Sequence, residues 1–329
     1  MKTLDVIIVN WNTGPQLRAC LAALAEAQQE GFRLERVVVV DNASADQSMD
    51  NLECHALPLM IIQNDENLGF AAACNQGAAG STADYLLFLN PDTRVFANTL
   101  AGSVQWMTAP ENRHIGILGV QLLDENSQVT RTCAKFLATR YFVNRMLGLS
   151  FLWPKMFPEL LYTQWDHLES HEVDHVTGAY FFIRRGIFDE LNGFDEQFFL
   201  YFEDIDLSLR MLQAGWSSYY LSTIQCYHAG CGSSNQVRSR RLFYALRSRI
   251  SYGFKHLRWF DAIALLLTTA FIEPIPRFSY ALVTGSLSRL REVAQAYRMF
   301  WRTIPGILKK HYVRKIAPVM AKQEVAGEQ

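Results

Sequence analysis

The stretch Asp-Val-Ile-Ile-Val-Asn at residues 5–10 decides how the first half of this chain folds. It is short, apolar between its polar ends and rich in β-branched side chains, which is typical of a parallel strand buried on both faces. Similar runs follow at residues 36–40, 59–63 and 85–89, and leucines at helical spacing lie between the first two runs. This alternation predicts an α/β fold, a doubly wound and mostly parallel sheet flanked by helices.

Polar residues follow these predicted strands at the point where each one ends. Asp41 closes the second run, Asn67 lies in the loop after the third, and Asn90 and Asp92 flank a proline after the fourth. The carboxyl ends of parallel strands meet at one edge, where open α/β sheets bind their ligands. The sequence contains neither a Gly-x-Gly-x-x-Gly fingerprint nor a P-loop, so a glycine-rich phosphate loop is not indicated.

The residues at this edge have alternative roles that the sequence leaves open. Asp41 could accept hydrogen bonds from a base or a ribose, or it could cap a helix. Asn67 could face a ligand, or it could form a simple turn with Gly69. Asn90 and Asp92 supply hard oxygen ligands suited to Mg²⁺ or Mn²⁺ carrying a diphosphate, and we favour this use over a turn alone.

The aromatic segment 198–202 leads into the strongest candidates for acid–base chemistry. It is followed directly by Glu203 and Asp204, and then by Asp206. Carboxylates delivered by an apolar wall can have a raised pKa, which suits a general base. Acidic residues also favour the first turn of a helix, and Asp206 is spaced to pair with Arg210. Both interpretations hold if a helix begins here and directs its acidic pair toward the sheet edge.

Two later features complete the candidate site. Gly178 and Ala179 are small residues within a strand-like region, where something could approach the backbone closely. His228 follows another strand-like run and precedes Gly230, so it is either a structural residue or a further metal ligand beside Asp92.

The net charge of −1 conceals a strong asymmetry along the 329 residues. Residues 1–235 hold 14 Lys and Arg against 27 Asp and Glu, a balance of −13, and residues 236–329 hold 17 against 5, a balance of +12. We therefore expect a catalytic α/β domain at 1–235 and a basic amphipathic helical extension at 236–329. The basic and aromatic residues of the extension favour an anionic membrane surface as partner over nucleic acid, for which no recognition module is visible.

The most apolar part of the extension, residues 262–272, is too short to span a bilayer and ends at Glu273 and Pro274. It therefore predicts helices that lie in the membrane interface. The six Cys form no C-x-x-C pair, which favours reduced core thiols, and the apolar run at 6–9 is too short for a signal peptide. These features predict a cytoplasmic protein, peripheral at the inner face of the cell membrane.

Taken in order, these pieces resemble the family 2 glycosyltransferases of GT-A fold, in particular bacterial rhamnosyltransferase-like members. The resemblance covers about residues 4–235 and implies a metal-dependent, inverting glycosyltransferase of the hexosyltransferase class. The matching pieces are Val-Ile-Ile-Val-Asn-Trp-Asn (6–12), Val-Asp-Asn-Ala-Ser (40–44), Asn-Leu-Gly-Phe-Ala-Ala-Ala-Cys-Asn-Gln-Gly (67–77), Leu-Phe-Leu-Asn-Pro-Asp (87–92), Gly-Ala (178–179), residues 193–210 and His228.

The resemblance also implies a role for each matching residue. Asp204 would be the general base that takes the proton of an acceptor hydroxyl, with Glu203 contacting acceptor or donor. Asp92 takes the place of the metal-binding second Asp of the family's Asp-x-Asp, and His228 would be a further ligand of Mg²⁺ or Mn²⁺. Asn90 departs from that motif, so the donor's diphosphate must supply more of the metal site. The donor-binding residues would be Val9, Trp11, Asp41, Asn67, Asn90, Asp92, Gly178 and Ala179.

The implied donor is a dTDP- or UDP-sugar, with rhamnose as one candidate sugar. The implied acceptor is a saccharide, lipid-linked, in cell-surface polysaccharide assembly. Two other functions remain open, a non-catalytic membrane-associated scaffold that binds a nucleotide or glycan, and a nucleotidyltransferase on a similar fold. The presence of Asp92, Asp204 and His228 argues against the scaffold. Residues 10–15 lack the Lys or Arg expected of a nucleotidyltransferase loop.

Overall fold

The computed structural model describes residues 1–146, 156, 165–230 and 238–327. The chain divides into two compact units. The first comprises Met1–Phe136 and Glu159–Gln236, and the second comprises Leu137–Pro158 and Val237–Gln329.

The first unit is built on a nine-stranded sheet with the order β3-β2-β1-β4-β8-β6-β9-β5, in which β7 pairs with β9. Six strands (β1, β2, β3, β4, β6 and β9) run in one direction, and β5, β7 and β8 run against them. The predicted mostly parallel sheet is therefore confirmed. The strands are β1 Lys2–Asn10, β2 Phe32–Asp41, β3 Leu59–Gln63, β4 Tyr85–Leu89, β5 Thr93–Val95, β6 Ile115–Leu123, β7 His171–Val173, β8 Tyr180–Arg184 and β9 Ser217–His228.

Successive side chains of a strand point to opposite sides of a sheet, and here an apolar core covers each side. In β1, Val6 and Ile8 enter one core with Leu17, whereas Ile7 enters the other core with Ala73. The helices of this unit are α1 Pro15–Glu26, α2 Phe70–Ala78, α3 Thr99–Thr108, α5 Arg185–Glu190 and α6 Glu203–Gln213. Helix α1 thus covers one face and α2 the other, which is the predicted doubly wound arrangement.

Strand β3 differs from the expectation of a fully buried strand. It lies at the edge of the sheet and has β2 as its only ladder neighbour in the described sheet. Met60 and Ile61 are consequently 46% and 42% exposed. A run of apolar residues predicts a strand, but it does not report whether that strand lies at the centre or the edge of its sheet.

The described part of the second unit is helical. Its helices are α4 Thr139–Met146, α7 Arg238–His256, α8 Trp259–Leu267, α9 Pro274–Val283 and α10 Leu287–Gly327, with a π-helical turn at Thr268–Ile272 between α8 and α9. Thr139 Oγ1 of α4 donates to the carbonyl of Asp261 in α8 at 3.0 Å. The rings of Phe254 in α7 and His311 in α10 stack with their centroids 5.5 Å apart.

The expectation that the apolar part of the extension ends at Glu273 and Pro274 is wrong. Helical structure continues from Trp259 to Val283. Among the described residues, this 25-residue run is the one helix long and apolar enough to cross a membrane. The π-helical turn explains the continuity. Glu273 N donates to Thr268 O at 2.9 Å, and this widened turn precedes Pro274, which has no N–H to donate.

Candidate active site

The predicted site residues lie along one edge of the sheet. Strands β2, β1, β4 and β8 are neighbours in that order, so Asp41, Asn10, Asn90 and Ala179 follow one another at the strand ends. The amide of Asn90 donates to the carbonyl of Ala179 at 3.0 Å, which ties the fourth strand end to the start of β8. The edge predicted from the polar residues is therefore the edge at which they meet.

Asp41 is buried in a polar network at this edge. Its Oδ1 accepts hydrogen bonds from Asn10 Nδ2 at 2.7 Å and from Ser44 Oγ at 2.6 Å, and its Oδ2 accepts from Ser44 N at 3.1 Å. The helix cap considered as the alternative belongs to a different residue, since Asp46 caps the short 3₁₀ turn at Gln47–Met49. Asp41 instead fixes the loop that follows β2 against the end of β1.

Asn67 shapes the approach to α2. Its Oδ1 accepts from Gly69 N at 2.9 Å, and Phe70 N donates to Phe199 O at 2.7 Å. Gly69 has a φ of +89°, and a Cβ added there would lie 2.6 Å from Phe199 O. Glycine is required at this point for both reasons, and the contact joins the start of α2 to the aromatic segment before Glu203.

Three further predicted residues have simple positions. Val9 is buried in the core beneath the sheet, and Trp11 is half-buried just beyond the end of β1. Ala179 is buried at the start of β8. Any contact that Val9 and Ala179 make with a donor would thus come mainly from their backbone.

Asp92 and His228 are brought together, as the sequence predicted. Antiparallel pairing of β5 with β9 sets Thr93 opposite His228, and Ala229 N donates to Asp92 O at 3.0 Å. His228 Nε2 lies 3.4 Å from Asp92 Oδ1, with 19% of the histidine side chain exposed and 9% of the aspartate side chain. A hard carboxylate oxygen and an imidazole nitrogen therefore meet at the sheet edge.

Asp92 and His228 supply only part of the ligands that a divalent cation needs. Over the residues that the structure describes, no group of three or more His, Cys, Asp and Glu side chains could hold a metal ion. Two protein ligands leave most of the coordination positions of Mg²⁺ or Mn²⁺ to other oxygens, such as those of a diphosphate and water. That distribution agrees with the replacement of an Asp by Asn90.

The backbone before α6 is strained. Tyr201 and Phe202 are consecutive bulky residues with φ of 67° and 71° in the left-handed region. Each such residue costs about 1–3 kcal/mol, and strain of this kind concentrates at functional sites. The helix begins at Glu203, and Asp206 pairs with Arg210 at 2.8 Å, so the predicted helix start and the predicted ion pair are both confirmed.

Asp204, in the first turn of α6, is held by two backbone amides. Its Oδ1 accepts from Ile205 N at 2.8 Å, and its Oδ2 accepts from Gly178 N at 3.0 Å. Burial raises the pKa of Asp204, but the charge of His175 and the amides of Ile205 and Gly178 outweigh burial, and the pKa lies below its ordinary value. Asp204 therefore stays ionised, which a general base must be.

Glu203 has the opposite electrostatic behaviour. It is 4% exposed, and its Oε2 has no hydrogen-bond partner among the described residues. Burial, followed by the charges of Asp204 and Asp206, holds the pKa of Glu203 well above its ordinary value. Neighbouring carboxyl groups with pKa values pushed apart are typical of sites where one acts as acid or donor and the other as base.

The sequence interpretation missed His175. This residue precedes Gly178 by three positions, is 5% exposed, and its Nε2 lies 3.2 Å from Asp204 Oδ2. Its backbone is also fixed from across the loop, because Ala134 N donates a hydrogen bond to His175 O at 3.2 Å. The signal in the sequence is slight, because Asp174 and His175 only interrupt the apolar run that leads into β8.

The comparisons with known proteins show the family and the fold of this chain. The family model described as "Glycosyl transferase family 2" matches residues 5–192, which include β1 to β8. A Mycobacterium tuberculosis protein named N-acetylglucosaminyl-diphospho-decaprenol L-rhamnosyltransferase is 27% identical over 278 residues. The match covers 79% of this chain and 87% of that relative.

Two solved structures share the fold. The mannosyltransferase PcManGT of Pyrobaculum calidifontis, in complex with GDP-Man and Mn²⁺, superimposes with a TM-score of 0.52 at 18% identity, covering 95% of this chain and 86% of that one. TarS 1–349 of S. aureus, in complex with UDP-GlcNAc, superimposes with a TM-score of 0.51 at 16% identity, covering 91% and 92%. The chain therefore has the GT-A fold.

Proposed function

We propose, from the premise that this chain belongs to glycosyl transferase family 2, that it moves a sugar from a nucleoside-diphosphate donor to a hydroxyl of a lipid-linked saccharide. The family makes the chain a glycosyltransferase. The observation that supports the mechanism most is Asp204, an ionised carboxylate held by two backbone amides at the sheet edge that also carries Asp92 and His228. The process served is cell-surface polysaccharide assembly.

Asp204 is the general base of this proposal. It takes the proton of the acceptor hydroxyl, whose oxygen attacks the anomeric carbon from the face opposite the leaving diphosphate, so that the configuration inverts. Its two backbone donors keep the carboxylate in one orientation, which lowers the entropy cost of reaching the reactive geometry. In this proposal Glu203 contacts acceptor or donor, and burial raises the pKa of its carboxyl.

The donor occupies the edge formed by the ends of β2, β1 and β4. In this proposal Asp41 and Trp11 hold the nucleoside, and Gly178 lies against Asp204, to which its amide donates at 3.0 Å. The solved relatives hold GDP-Man and UDP-GlcNAc, which supports a nucleotide sugar as the class of donor. The name of the tuberculosis relative supports rhamnose, carried as a dTDP-sugar, with UDP-sugars as the alternative.

A divalent cation, Mg²⁺ or Mn²⁺, would be held by Asp92 and His228. When bound, it would neutralise charge on the diphosphate. Asn90 would contribute a neutral oxygen or contact the donor directly. The Mn²⁺ in the PcManGT complex supports a cation of this class.

The experiment that tests the activity is a screen of dTDP- and UDP-sugars with Mg²⁺ or Mn²⁺, with and without a polyprenyl-diphosphate saccharide. We expect turnover with one donor, dependent on the cation and on the acceptor. Release of the product as a single anomer of inverted configuration, read by NMR, would establish the stereochemistry. Donor binding without transfer or hydrolysis would overturn the proposal in favour of a binding scaffold.

The second unit is proposed to bind the inner face of the cell membrane, which would bring the enzyme to a lipid-linked acceptor in the cytoplasm. Its helical run Trp259–Val283 has one strongly exposed apolar side. Phe260 and Leu267 are seven residues apart, as are Ile275 and Leu282, which places each pair on one helix face. The large apolar side chains exposed by 50–86% in this run are Phe260, Leu267, Phe271, Ile275, Leu282 and Val283.

The opposite side of the same run is packed against charged protein groups, which favours lying in the interface over crossing the bilayer. Glu273 is buried and pairs with Arg249 of α7 at 2.8 Å and with Arg277 at 2.7 Å. The partner helix α7 carries several further basic residues, and Arg289 lies over the ring of Tyr280 at 4.8 Å. An apolar face bordered by basic and aromatic residues is typical of interfacial helices on anionic lipid.

Vesicle flotation tests this membrane proposal. The full chain should float with vesicles that contain anionic lipid, and Phe260→Asp with Phe271→Asp should abolish flotation. Phe96→Asp is the matched control, because it alters an exposed phenylalanine of the first unit. Resistance of the wild type to extraction at alkaline pH, together with cleavage of the extension from the far side of the membrane, would show a spanning helix and overturn the interfacial one.

A further inference from the structure

We propose that His175 is the positioning residue of the catalytic base, with its Nε2 beside Asp204 Oδ2 holding that carboxylate in place. This inference rests on the proposed function, in which Asp204 is the base. It assigns a role to a residue outside the set of family motifs named above.

The geometry of Asp204 supports this role. Its carboxylate has close neighbours on three sides: Ile205 N of its own helix and Gly178 N of the loop before β8 donate to it, and His175 Nε2 lies 3.2 Å from its Oδ2. The two backbone donors are neutral. His175 is the one group in contact with Asp204, among the described residues, that can bring a positive charge.

The surroundings of His175 distinguish it from an ordinary core histidine. Its side chain is 6% exposed, and neither ring nitrogen has a hydrogen-bond partner in the described part of the chain, although Nε2 lies 3.2 Å from Asp204 Oδ2. Buried polar groups are nearly always satisfied, so an imidazole with this environment needs a reason to be there. Its approach to Asp204 supplies that reason.

His167 offers an internal comparison. It is fully buried, its Nδ1 lies 3.1 Å from Trp165 O, and its Nε2 accepts from Cys133 N at 3.2 Å. Both nitrogens are thus engaged with the main chain, which is typical of a structural histidine. His175 is nearly as buried but faces a carboxylate instead.

The charged and titratable groups around Asp204 explain why a positive neighbour matters. Glu203 and Asp206 share the first turn of α6, and Asp206 is already paired with Arg210. The thiol of Cys74 faces the pair from α2, and burial followed by the charges of Glu203 and Asp204 raises its pKa. Without His175, Asp204 would be an anion in an acidic, desolvated cluster and would take up a proton more readily.

The test compares His175→Phe and His175→Gln with the wild type. Phenylalanine keeps the volume but removes the donor, whereas glutamine keeps an N–H donor and removes the charge. We expect kcat to fall about 10- to 100-fold in His175→Phe, because a misplaced base loses alignment with the hydroxyl, and to recover in large part in His175→Gln. In both variants the acid limb of kcat/KM should move to higher pH, since the charge that keeps Asp204 ionised is gone.

His167→Gln is the matched control. It should lower the melting temperature while the acid limb stays at the wild-type position, because that histidine does not contact Asp204. An unchanged acid limb and unchanged kcat in both His175 variants would overturn the inference and leave His175 a structural residue. A loss of activity in His175→Phe that adds in full to the loss in Asp204→Asn would overturn it as well, because a positioning residue acts only through its partner.

A readout without catalysis separates this inference from the proposed function. The carboxyl carbon of Asp204 can be followed by ¹³C NMR in the full chain, with Asp204→Asn identifying its signal. The titration should shift to higher pH in His175→Gln and stay in place in His167→Gln. An unmoved titration would overturn the His175 inference even if transfer is confirmed. A shifted titration in a chain that transfers no sugar would sustain the electrostatic role of His175 and sink the proposed reaction.

Discussion

Two aspartate–histidine pairs lie at the same edge of the sheet, and they differ in how they are enclosed. His228 lies 3.4 Å from Asp92 and His175 lies 3.2 Å from Asp204, so the separations are similar. His228 has 19% of its side chain exposed, against 6% for His175, whereas Asp92 has 9% exposed, against 15% for Asp204. We call Asp92 and His228 the open pair and Asp204 and His175 the enclosed pair, after the exposure of their histidines. An exposed histidine is suited to an exchangeable ligand such as a cation, and a buried one to holding a proton acceptor in one orientation.

The two pairs also differ in what brings them together. Asp92 and His228 lie on paired strands, so their contact follows from the ladder of β5 with β9. Asp204 and His175 come from a helix start and an irregular loop, and they meet because Gly178 N ties the loop to the helix. One pair is therefore a product of sheet topology, whereas the other depends on local packing.

Asp204→Asn should give the largest effect, because it removes the carboxylate of the enclosed pair. We expect transfer to fall by about 10²–10⁴-fold, because the base is lost while the shape of the side chain is kept. Donor affinity and melting temperature should stay near wild type. Asp189→Asn, a change of an exposed aspartate in α5, controls for the loss of a negative charge. Near wild-type transfer by the Asp204 variant would remove that residue from the role of base.

His228→Ala tests the open pair and should have the next largest effect. Transfer should fall about 10- to 100-fold at fixed Mn²⁺ and recover in part as Mn²⁺ is raised, because Asp92 and the diphosphate remain as ligands. Chelation should abolish wild-type activity, and added cation should restore it. His114→Ala alters an exposed histidine that pairs with Glu172, and should change neither property. An identical cation requirement in both histidine variants would exclude His228 as a ligand.

The sequence predicted the open pair and missed half of the enclosed one, for a physical reason. Strand ends can be recognised from apolar runs, and parallel strands place their ends at one edge, so Asp41, Asn90 and Asp92 were expected together. His175 lies in a loop, and loop conformation depends on tertiary contacts such as that of Ala134 with His175. The contact of Ala134 with His175 cannot be predicted from a residue pattern.

The same limit applies to backbone conformation. Tyr201 and Phe202 adopt left-handed φ values that bulky side chains rarely take, and nothing in their residue type announces this. Pro274 predicted the end of a helix, but a π-helical turn precedes it and the helical run continues. Sequence patterns therefore located the strands and helices of this fold, whereas the strained residues and the π-helical turn within them are visible only in the structure.

Asn90→Asp tests the open pair by adding a second carboxylate to it. A second carboxylate beside Asp92 should tighten cation binding, so the Mn²⁺ concentration for half-maximal activity should fall, by about tenfold for a gain of one charged ligand. Isothermal titration of Mn²⁺ into the donor-bound enzyme measures it. Asn98→Asp, which places the same change at an exposed position before α3, is the control. An unchanged Mn²⁺ requirement would place residue 90 outside the cation's reach.

Glu203→Gln should give the smallest effect, and it concerns the stability of the helix start that carries Asp204. The folded-state pKa of Glu203 lies above its ordinary value of 4.5, so the protonated form is the one that folding favours. Its contribution is fully present below the unfolded pKa and is lost as pH rises through the folded pKa. Glutamine keeps the neutral form at every pH, so the variant should match the wild type in acid and exceed its melting temperature by a few degrees at higher pH. The exposed Glu190→Gln should show no such widening. A difference that stays constant with pH would mean that Glu203 is not held protonated, and that Glu203 and Asp204 together hold two negative charges instead of one.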